Sequence, residues 1–213
     1  MRRLWRTYVR IGAFKERVLR SIMPSRMHFV HYSWPLRPDS CPCDVHFCEY
    51  LEERGIRQKS IFHFGSGGHH AVGLRSHAAG LANEVFALTV SPREHATYVA
   101  RVIADPALGR YYKVMFADIY SLSAACLPSF DVITLFHLGE FSPSTKSGGP
   151  ADDREVLRLF LSKLTPGGSI LFYPGSFGYP RVQQLLADAE ADGIISFVEK
   201  YQSLIIFRAP GPE

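Results

Sequence analysis

A short apolar run that breaks into glycines, Ser60-Ile-Phe-His-Phe-Gly-Ser-Gly-Gly-His-His70, most constrains how this chain can fold. Three glycines fall within four residues, between a strand-like run and a helix-like segment. A residue without a Cβ atom is needed where the backbone turns sharply and comes close to a ligand. The stretch therefore predicts a buried parallel strand that meets the N-terminus of a helix at a binding crevice.

Strand and helix patterns alternate from this stretch onward. We predict strands at 60–64, 84–90, 112–116, 130–136 and 169–173, helices at 69–80, 92–104, 152–164 and 182–191, and a polar loop at 142–151. Two further strands, 194–199 and 203–208, read as a hairpin. The alternation predicts an α/β fold with a doubly wound, mostly parallel seven-stranded sheet and a C-terminal antiparallel hairpin.

The N-terminal 55 residues read as an extension of a Rossmann-type domain that spans 56–213. Residues 1–26 hold eight Lys or Arg and one acid, whereas the remaining chain holds 16 basic and 19 acidic residues. The arm has the pattern of a basic amphipathic helix, which packs on its own body or contacts a protein partner or an anionic membrane surface. The mildly acidic body gives no strong nucleic-acid signal.

A proline- and aromatic-rich connector, 24–43, follows the arm, and a helix is predicted from Asp44 to Gly55. The connector carries Phe29, Tyr32 and Trp34, which we expect to flank or cover the pocket and to exclude water from an apolar substrate. No apolar run approaches the roughly 20 residues of a membrane-spanning helix. With four cysteines in 213 residues, a reducing, cytoplasmic setting is expected.

Three of the cysteines lie with a histidine in the series Cys41, Cys43, His46 and Cys48. Their spacing lacks the paired Cys-x2-Cys knuckles of common structural zinc sites. Buried thiols at a helix start are the simpler interpretation. We therefore expect no metal site.

The glycine turn fits neither of two common nucleotide-binding motifs. The dinucleotide fingerprint needs a glycine at position 70, which is His70, and an acid about 20 residues on, where Ala87-Leu88-Thr89 stands. A P-loop needs Gly-Lys-Ser/Thr, which is absent from the sequence. The sequence therefore disfavours a nicotinamide or flavin cofactor and a P-loop nucleotide site.

Six segments in order carry a resemblance to a known family. They are Phe62-His-Phe-Gly-Ser-Gly-Gly68, Phe86-Ala-Leu-Thr-Val-Ser-Pro92, Phe116-Ala-Asp118, Phe130-Asp-Val-Ile133, Leu164-Thr-Pro-Gly-Gly168 and the terminal hairpin. Over about residues 56–208 this series resembles the class I S-adenosylmethionine-dependent methyltransferases. The resemblance implies S-adenosylmethionine as cofactor and methyl transfer, most simply to a small-molecule acceptor.

The resemblance also implies which residues face the cofactor. Gly65, Ser66 and Gly67 would lie beside its methionine portion, and Asp118 and Ile119 beside its adenine. Phe136, at the end of the fourth strand, is the last residue expected to contact the cofactor. Thr89 and His63 stand where the family usually has acids, which also suits an alternative: a catalytically degenerate scaffold that binds a partner.

His137 and Glu140 are the candidate catalytic residues, because they follow the fourth strand into the crevice. Methyl transfer needs a general base only where the acceptor must lose a proton. Histidine has an unperturbed pKa near neutrality and suits that role, with Glu140 to orient it or to bind a substrate amine. His69 and His70 point about 100° apart on a helix, so one is expected to line the pocket while the other caps or packs.

Overall fold

A computed structural model describes residues 30–141 and 152–210 of the 213-residue chain. The basic arm and the loop at 142–151 lie outside these described residues, so the helix and the loop expected there stay predictions. The described helices are α1 (Cys43–Glu53), α2 (Ala71–Ala78), α3 (Pro92–Ala104), α4 (Leu108–Tyr111), α5 (Asp153–Leu161) and α6 (Tyr179–Ala191). The strands are β1 (Ser60–Phe64), β2 (Glu84–Thr89), β3 (Tyr112–Phe116), β4 (Phe130–Thr134), β5 (Leu164–Phe172), β6 (Ser196–Tyr201) and β7 (Leu204–Arg208).

The seven strands form one sheet in the order β3-β2-β1-β4-β5-β7-β6. Strands β1 to β5 pair in parallel, and β7 pairs antiparallel with both β5 and β6. This topology confirms the predicted doubly wound sheet with its antiparallel hairpin. Strand β1 lies between β2 and β4, so the order reverses there and the crevice opens at the carboxyl ends of β1 and β4.

Strand β5 begins five residues earlier than predicted. The predicted turn Thr165-Pro-Gly-Gly168 is present, but it lies inside the strand as an irregularity: Phe130 pairs with Leu164, while Val132 already pairs with Ser169. Gly167 takes a φ of 72° there, which suits a residue without Cβ. The bulge absorbs the turn without ending the strand.

Helix ends follow their capping residues. Ser91 caps α3 by accepting a hydrogen bond from Glu94 N, and Pro92 lies in the first turn of this helix. Asp152 and Glu155 form a capping box at the start of α5. Helix α6 begins three residues before its predicted start, because Pro180 fits the first turn, where its missing N–H has no partner to lose.

Apolar side chains fill both faces of the sheet. One core cluster includes Phe62, Phe130 and Phe160, and the other includes Phe47 and Phe136. Phe47 comes from α1, so the last helix of the N-terminal extension is part of the main core. None of the helices within 30–141 and 152–210 is both long and apolar enough to cross a membrane.

Candidate functional site

The glycine turn after β1 forms the floor of the crevice. Gly65 and Gly67 have φ values of 93° and 55°, which β-carbon sterics disfavour for other residues. The N–H groups of Gly65 and Ser66 both donate to Leu88 O, at 3.1 and 3.2 Å, and so tie the turn to β2. A Cβ on Gly65 would meet its nearest neighbour, Cδ2 of His137, only at 4.0 Å. There is thus room beside Gly65.

Ser66 gives the turn an unused polar group. Its side chain is buried, with 1% of the residue exposed. Its Oγ has no hydrogen-bond partner among the described residues. Buried hydroxyls normally have partners, because an unpaired one loses its hydration without compensation. The serine therefore leaves a buried donor and acceptor at the predicted ligand position.

The connector lies directly on this turn. Gly68 N donates to Trp34 O at 2.9 Å, and a Cβ on Gly68 would collide with the Ser33 hydroxyl. The Trp34 ring packs between Tyr32 and Phe141, with centroids 4.2 and 6.1 Å away. Trp34 of the connector therefore lies against the glycine turn with Tyr32 beside it, whereas Phe29 lies outside the described residues, and the covering of a substrate pocket by these rings stays a prediction.

A buried carboxylate stands at the end of β2, where the sequence shows only Thr89. Glu94, in the first turn of α3, is 2% exposed. Its Oε2 accepts from Thr89 Oγ1 at 2.6 Å, and its Oε1 accepts from Trp34 N at 2.8 Å. Burial raises the pKa of Glu94 although these donors stabilise its charge. Sequence reasoning missed this residue, because an acid three positions after Ser91 is typical of helix capping.

Asp118 and Ile119 follow β3, where the resemblance placed them. The Asp118 side chain accepts from Tyr120 N at 3.1 Å and begins a short 3-10 helix, Ile119–Ser121. Both residues are nearly buried, at 3% and 2% exposure. The carboxylate therefore lies at the same edge of the sheet as the glycine turn and Glu94.

His63 and Phe136 contact α1 in the structure. His63 Nδ1 is 2.8 Å from Thr134 Oγ1, and its ring stacks on Phe47. Phe136 makes an edge contact with Phe47 at 5.8 Å. Burial lowers the pKa of His63 to about 3, so the ring is neutral. The histidine thus stands in the first motif as a packed core residue and brings no charge there.

His137 and Glu140 form a contact in the turn after β4. His137 Nδ1 lies 3.2 Å from Glu140 Oε1. The same carboxylate oxygen accepts from Ser176 Oγ at 2.7 Å and from Phe177 N at 3.1 Å. Burial opposes the charged form, but these donors outweigh it and lower the pKa of Glu140. An ionised carboxylate thus orients the imidazole.

The other nitrogen of His137 meets two cysteines. Nε2 lies 3.9 Å from Cys41 Sγ and 3.8 Å from Cys43 Sγ, and the two sulfurs are 3.6 Å apart. Hydrogen bonds from Cys43 and His137 lower the pKa of Cys41 to about 4. Burial alone would lower the pKa of His137, but its bonds to Cys41 and Glu140 raise it to about 10. The two shifts have opposite directions, and each arises in part from the contact between Cys41 and His137.

His69 and His70 both precede α2, which begins at Ala71 and not at residue 69 as predicted, and His70 takes a φ of 54°. His70 is buried, with Nδ1 2.9 Å from Tyr112 Oη and Nε2 2.7 Å from Thr97 Oγ1, so it packs. His69 accepts from Ala71 N at 3.1 Å, and its Nε2 lies 3.5 Å from Asp44. Burial raises the pKa of Asp44 to about 7. His69 is therefore the one nearer the cysteine cluster.

Comparisons with known proteins bear on the fold. No family model and no curated protein matches the sequence. Among solved structures, the [4+2]-cyclase SpnF shares 16% identity over 95% of this chain and 96% of its own, with a TM-score of 0.58. The N-methyltransferase NodS from Bradyrhizobium japonicum WM9, solved with S-adenosyl-L-homocysteine, shares 18% identity over 83% and 92%, with a TM-score of 0.57. The chain has the class I methyltransferase fold.

A further methyltransferase-fold structure, a putative S-adenosylmethionine-dependent enzyme from Methanococcus maripaludis, shares 13% identity over 82% of this chain and 88% of its own, with a TM-score of 0.58. Identities this low concern the fold and leave the reaction open. Within the methyltransferase fold, the described site brings Gly65, Glu94 and Asp118 to the carboxyl edge of three adjacent strands. His137, which follows β4, lies beside them together with Cys41 and Cys43.

Proposed function

We propose that the chain binds S-adenosylmethionine and transfers its methyl group to a small-molecule acceptor. The observation that carries the proposal is the Glu94 carboxylate beside Thr89. It supplies, from α3, an acid at the end of β2 that the resemblance associates with the ribose hydroxyls. Together with the glycine turn and Asp118, it puts donors and acceptors for all three parts of the cofactor at one edge.

The residues present fit this cofactor. Gly65 has room for close approach, and the buried, unpaired Ser66 hydroxyl lacks a partner that a ligand would supply. In the proposal Gly65, Ser66 and Gly67 hold the methionine portion and Glu94 with Thr89 holds the ribose. Asp118 and Ile119 hold the adenine.

The bound cofactor supplies an electrophilic methyl group, so the chain's own task is to position the acceptor and exclude water. We propose that His137 and Glu140 perform the positioning, since Cδ2 of His137 lies 4.0 Å from where a Cβ of Gly65 would be and Glu140 contacts Nδ1 of that ring. Both ring nitrogens of His137 already have partners, Glu140 at Nδ1 and the two cysteines at Nε2, so neither is free to take a proton from an acceptor. Trp34 and Tyr32 cover the site from the connector side.

Cofactor binding in this proposal requires the connector to shift. The Glu94 oxygen that would meet the ribose now accepts from Trp34 N. Only conformers with that bond broken bind cofactor, so the apparent dissociation constant is the intrinsic one divided by the fraction of open conformers. The connector therefore weakens the cofactor affinity, and any change in the fraction of open conformers changes that affinity.

Calorimetric titration with S-adenosyl-L-homocysteine tests the proposal. This product analogue lacks the transferable methyl group and reports binding alone. We expect saturable binding with one site per chain and a matching rise in melting temperature. Absence of both heat and thermal shift at millimolar ligand would overturn the enzymatic proposal.

A second function, a partner-binding scaffold without catalysis, has one specific observation in its favour. Backbone groups of Trp34 already bond to both Gly68 and Glu94, as they would in a cofactor groove that the chain itself has filled. SpnF, whose structure is that of a [4+2]-cyclase, illustrates that this fold accompanies reactions other than methyl transfer. The scaffold proposal predicts indifference to cofactor and a protein complex that depends on residues 1–26, which a pull-down with and without them measures.

We also propose a cytoplasmic setting and leave a membrane or protein contact of the basic arm as part of the scaffold alternative. The four cysteines are unpaired, as a reducing compartment would keep them. Fractionation of cells that express the full chain measures this directly.

A further inference from the structure

Three potential metal ligands converge from two distant parts of the chain. Cys41 lies near the end of the connector, Cys43 is the first residue of α1, and His137 follows β4. Cys41 N donates to Arg37 O at 2.8 Å, so a backbone turn holds the first thiol. Cys43 lies in a helix that packs into the core. The ligands are therefore positioned by the fold and not by chance proximity of flexible side chains.

The spacing of the three donor atoms matches a tetrahedral zinc site. Zinc binds thiolate sulfur at about 2.3 Å and imidazole nitrogen at about 2.0–2.1 Å, so tetrahedral edges are about 3.8 Å for S···S and about 3.6 Å for S···N. The observed edges are 3.6 Å between the sulfurs, and 3.9 and 3.8 Å from each sulfur to His137 Nε2. All three agree within about 0.3 Å, without rearrangement of the chain.

The surroundings supply the outer contacts of a metal-bound histidine. Such histidines usually donate their second ring N–H to a carboxylate, which fixes the tautomer and the orientation of the ring. Glu140 Oε1 lies 3.2 Å from Nδ1 of His137. Ser176 Oγ and Phe177 N in turn hold that oxygen. The nitrogen that faces the cysteines is thereby the one free to bind a metal.

We propose that Cys41, Cys43 and His137 bind one Zn²⁺ ion, with the fourth coordination position open to an exchangeable ligand. Two thiolates and an imidazole are soft and borderline donors that favour zinc over magnesium or calcium. Three protein ligands with an open position are typical of catalytic zinc, whereas structural sites usually have four. A carboxylate oxygen also lies beside the cluster, since Asp44 Oδ1 is 3.7 Å from Cys43 Sγ.

This proposal replaces the expectation of no metal and goes beyond the proposed methyl transfer. The cysteine-histidine series in the sequence also includes His46 and Cys48, and the structure separates both of them from the cluster. His46 Nδ1 contacts Ser203 Oγ at 2.7 Å, and Cys48 Sγ lies near Ala71 O at 3.9 Å. The third ligand is instead His137, more than ninety positions further along the chain.

Metal titration of the full-length chain tests the site without reference to any reaction. The protein is stripped with chelator and titrated with Co²⁺, then with Zn²⁺ against a chelating indicator. We expect one tight equivalent, a tetrahedral Co²⁺ spectrum with thiolate charge-transfer bands, and displacement of Co²⁺ by Zn²⁺. No stoichiometric binding, or a spectrum without thiolate bands, overturns the proposal.

Variants assign the ligands. C41S with C43S is expected to abolish binding, and E140Q to weaken it 10–100-fold, as loss of an outer contact does. C48S and C126S are the matched controls and should bind like the wild type. Retained affinity in the double variant, or equal loss in C48S, contradicts the assignment.

A measurement on the wild-type chain covers the case in which a ligand variant fails to fold. Zn²⁺ should protect the partly exposed Cys41 from alkylation while the exposed Cys126 reacts at an unchanged rate. Equal alkylation of Cys41 with and without Zn²⁺ overturns the site. Because neither readout involves S-adenosyl-L-homocysteine, failure of the zinc site and failure of the proposed methyl transfer are distinguishable.

Discussion

Glu94 and Thr89 meet across the end of β2, with the carboxylate Oε2 2.6 Å from the threonine hydroxyl. The pair is buried, at 2% and 4% exposure, so the carboxylate has little water to solvate it. A buried carboxylate is stable only when hydrogen-bonded, and here Trp34 N supplies the second bond. The end of β2 has no acid in its own sequence, but Glu94 from α3 places a carboxylate there. One oxygen of this carboxylate accepts a hydrogen bond from Trp34 N of the connector.

Replacement of Glu94 by Gln tests the ribose role of this carboxylate. A hydrogen bond to a charged group contributes about 1.5–3 kcal/mol and one to a neutral group about 0.5–1.5 kcal/mol. We expect E94Q to weaken the affinity for S-adenosyl-L-homocysteine on the order of tenfold, measured by calorimetry. Glu84→Gln, at the exposed start of β2, is the matched control. Equal affinities of E94Q and wild type would remove Glu94 from the cofactor site.

Replacement of Trp34 by Ala tests whether the connector competes with the cofactor. The variant loses two ring contacts, to Tyr32 and Phe141, each worth about 0.5–1.5 kcal/mol. The closed conformer is destabilised and the open fraction rises, so the apparent affinity for S-adenosyl-L-homocysteine should increase several-fold. Leu36→Ala, on an exposed part of the same connector, should change little. A weaker affinity in W34A would show that the connector supports the bound cofactor.

The succession of strands and most helices along the chain was predictable from the sequence, because turn residues and apolar runs mark each element locally. The sites that were missed depend on contacts between distant positions. Glu94 and Trp34 are 60 positions apart, and Cys43 and His137 are 94 apart. No local spacing encodes such a pair. One histidine of the His69-His70 pair packs as predicted, but the reason expected from helix geometry was wrong, because both residues precede α2 and His70 has a left-handed backbone conformation.

The pH dependence of stability should report on His70. Its pKa is lowered to about 4, chiefly by burial, against about 6.5 in the unfolded chain. Between these values the unfolded state binds more protons, so the free energy of unfolding falls as the pH falls below about 6.5, by up to about 1.4 kcal/mol per unit for this residue. The contribution to stability is complete above that pH.

Urea unfolding at pH 7, 6 and 5 measures this dependence. His63, with its pKa of about 3, also makes the chain less stable as the pH falls. The test therefore compares the wild type with a variant that lacks His70. His70→Asn keeps a residue that tolerates the φ of 54° at this position and removes one titrating group. The variant should be less stable at pH 7 and lose less stability between pH 7 and 5. Parallel pH profiles of the wild type and the variant would show that His70 does not cause the loss of stability at low pH.

The last prediction concerns the N-terminal extension, whose helix α1 contributes Phe47 to the core. Phe47 is fully buried and packs on His63 and Phe136. A bidentate ion pair, Arg75 to Glu52 at 2.6 and 2.7 Å, also joins α1 to α2. A helix held in this way should unfold together with the sheet and not ahead of it.

Phe47→Ala is therefore expected to lower the free energy of unfolding by about 3–5 kcal/mol, the usual cost of removing a buried aromatic side chain. Ile103→Ala, at a position 75% exposed on α3, is the control and should cost far less, because little apolar contact is lost there. Urea unfolding followed by circular dichroism measures both. A Phe47→Ala cost below about 1 kcal/mol, or a separate early transition in the wild type, would show that α1 is a detachable appendage. It would also remove the rigid support that holds Cys43 beside His137.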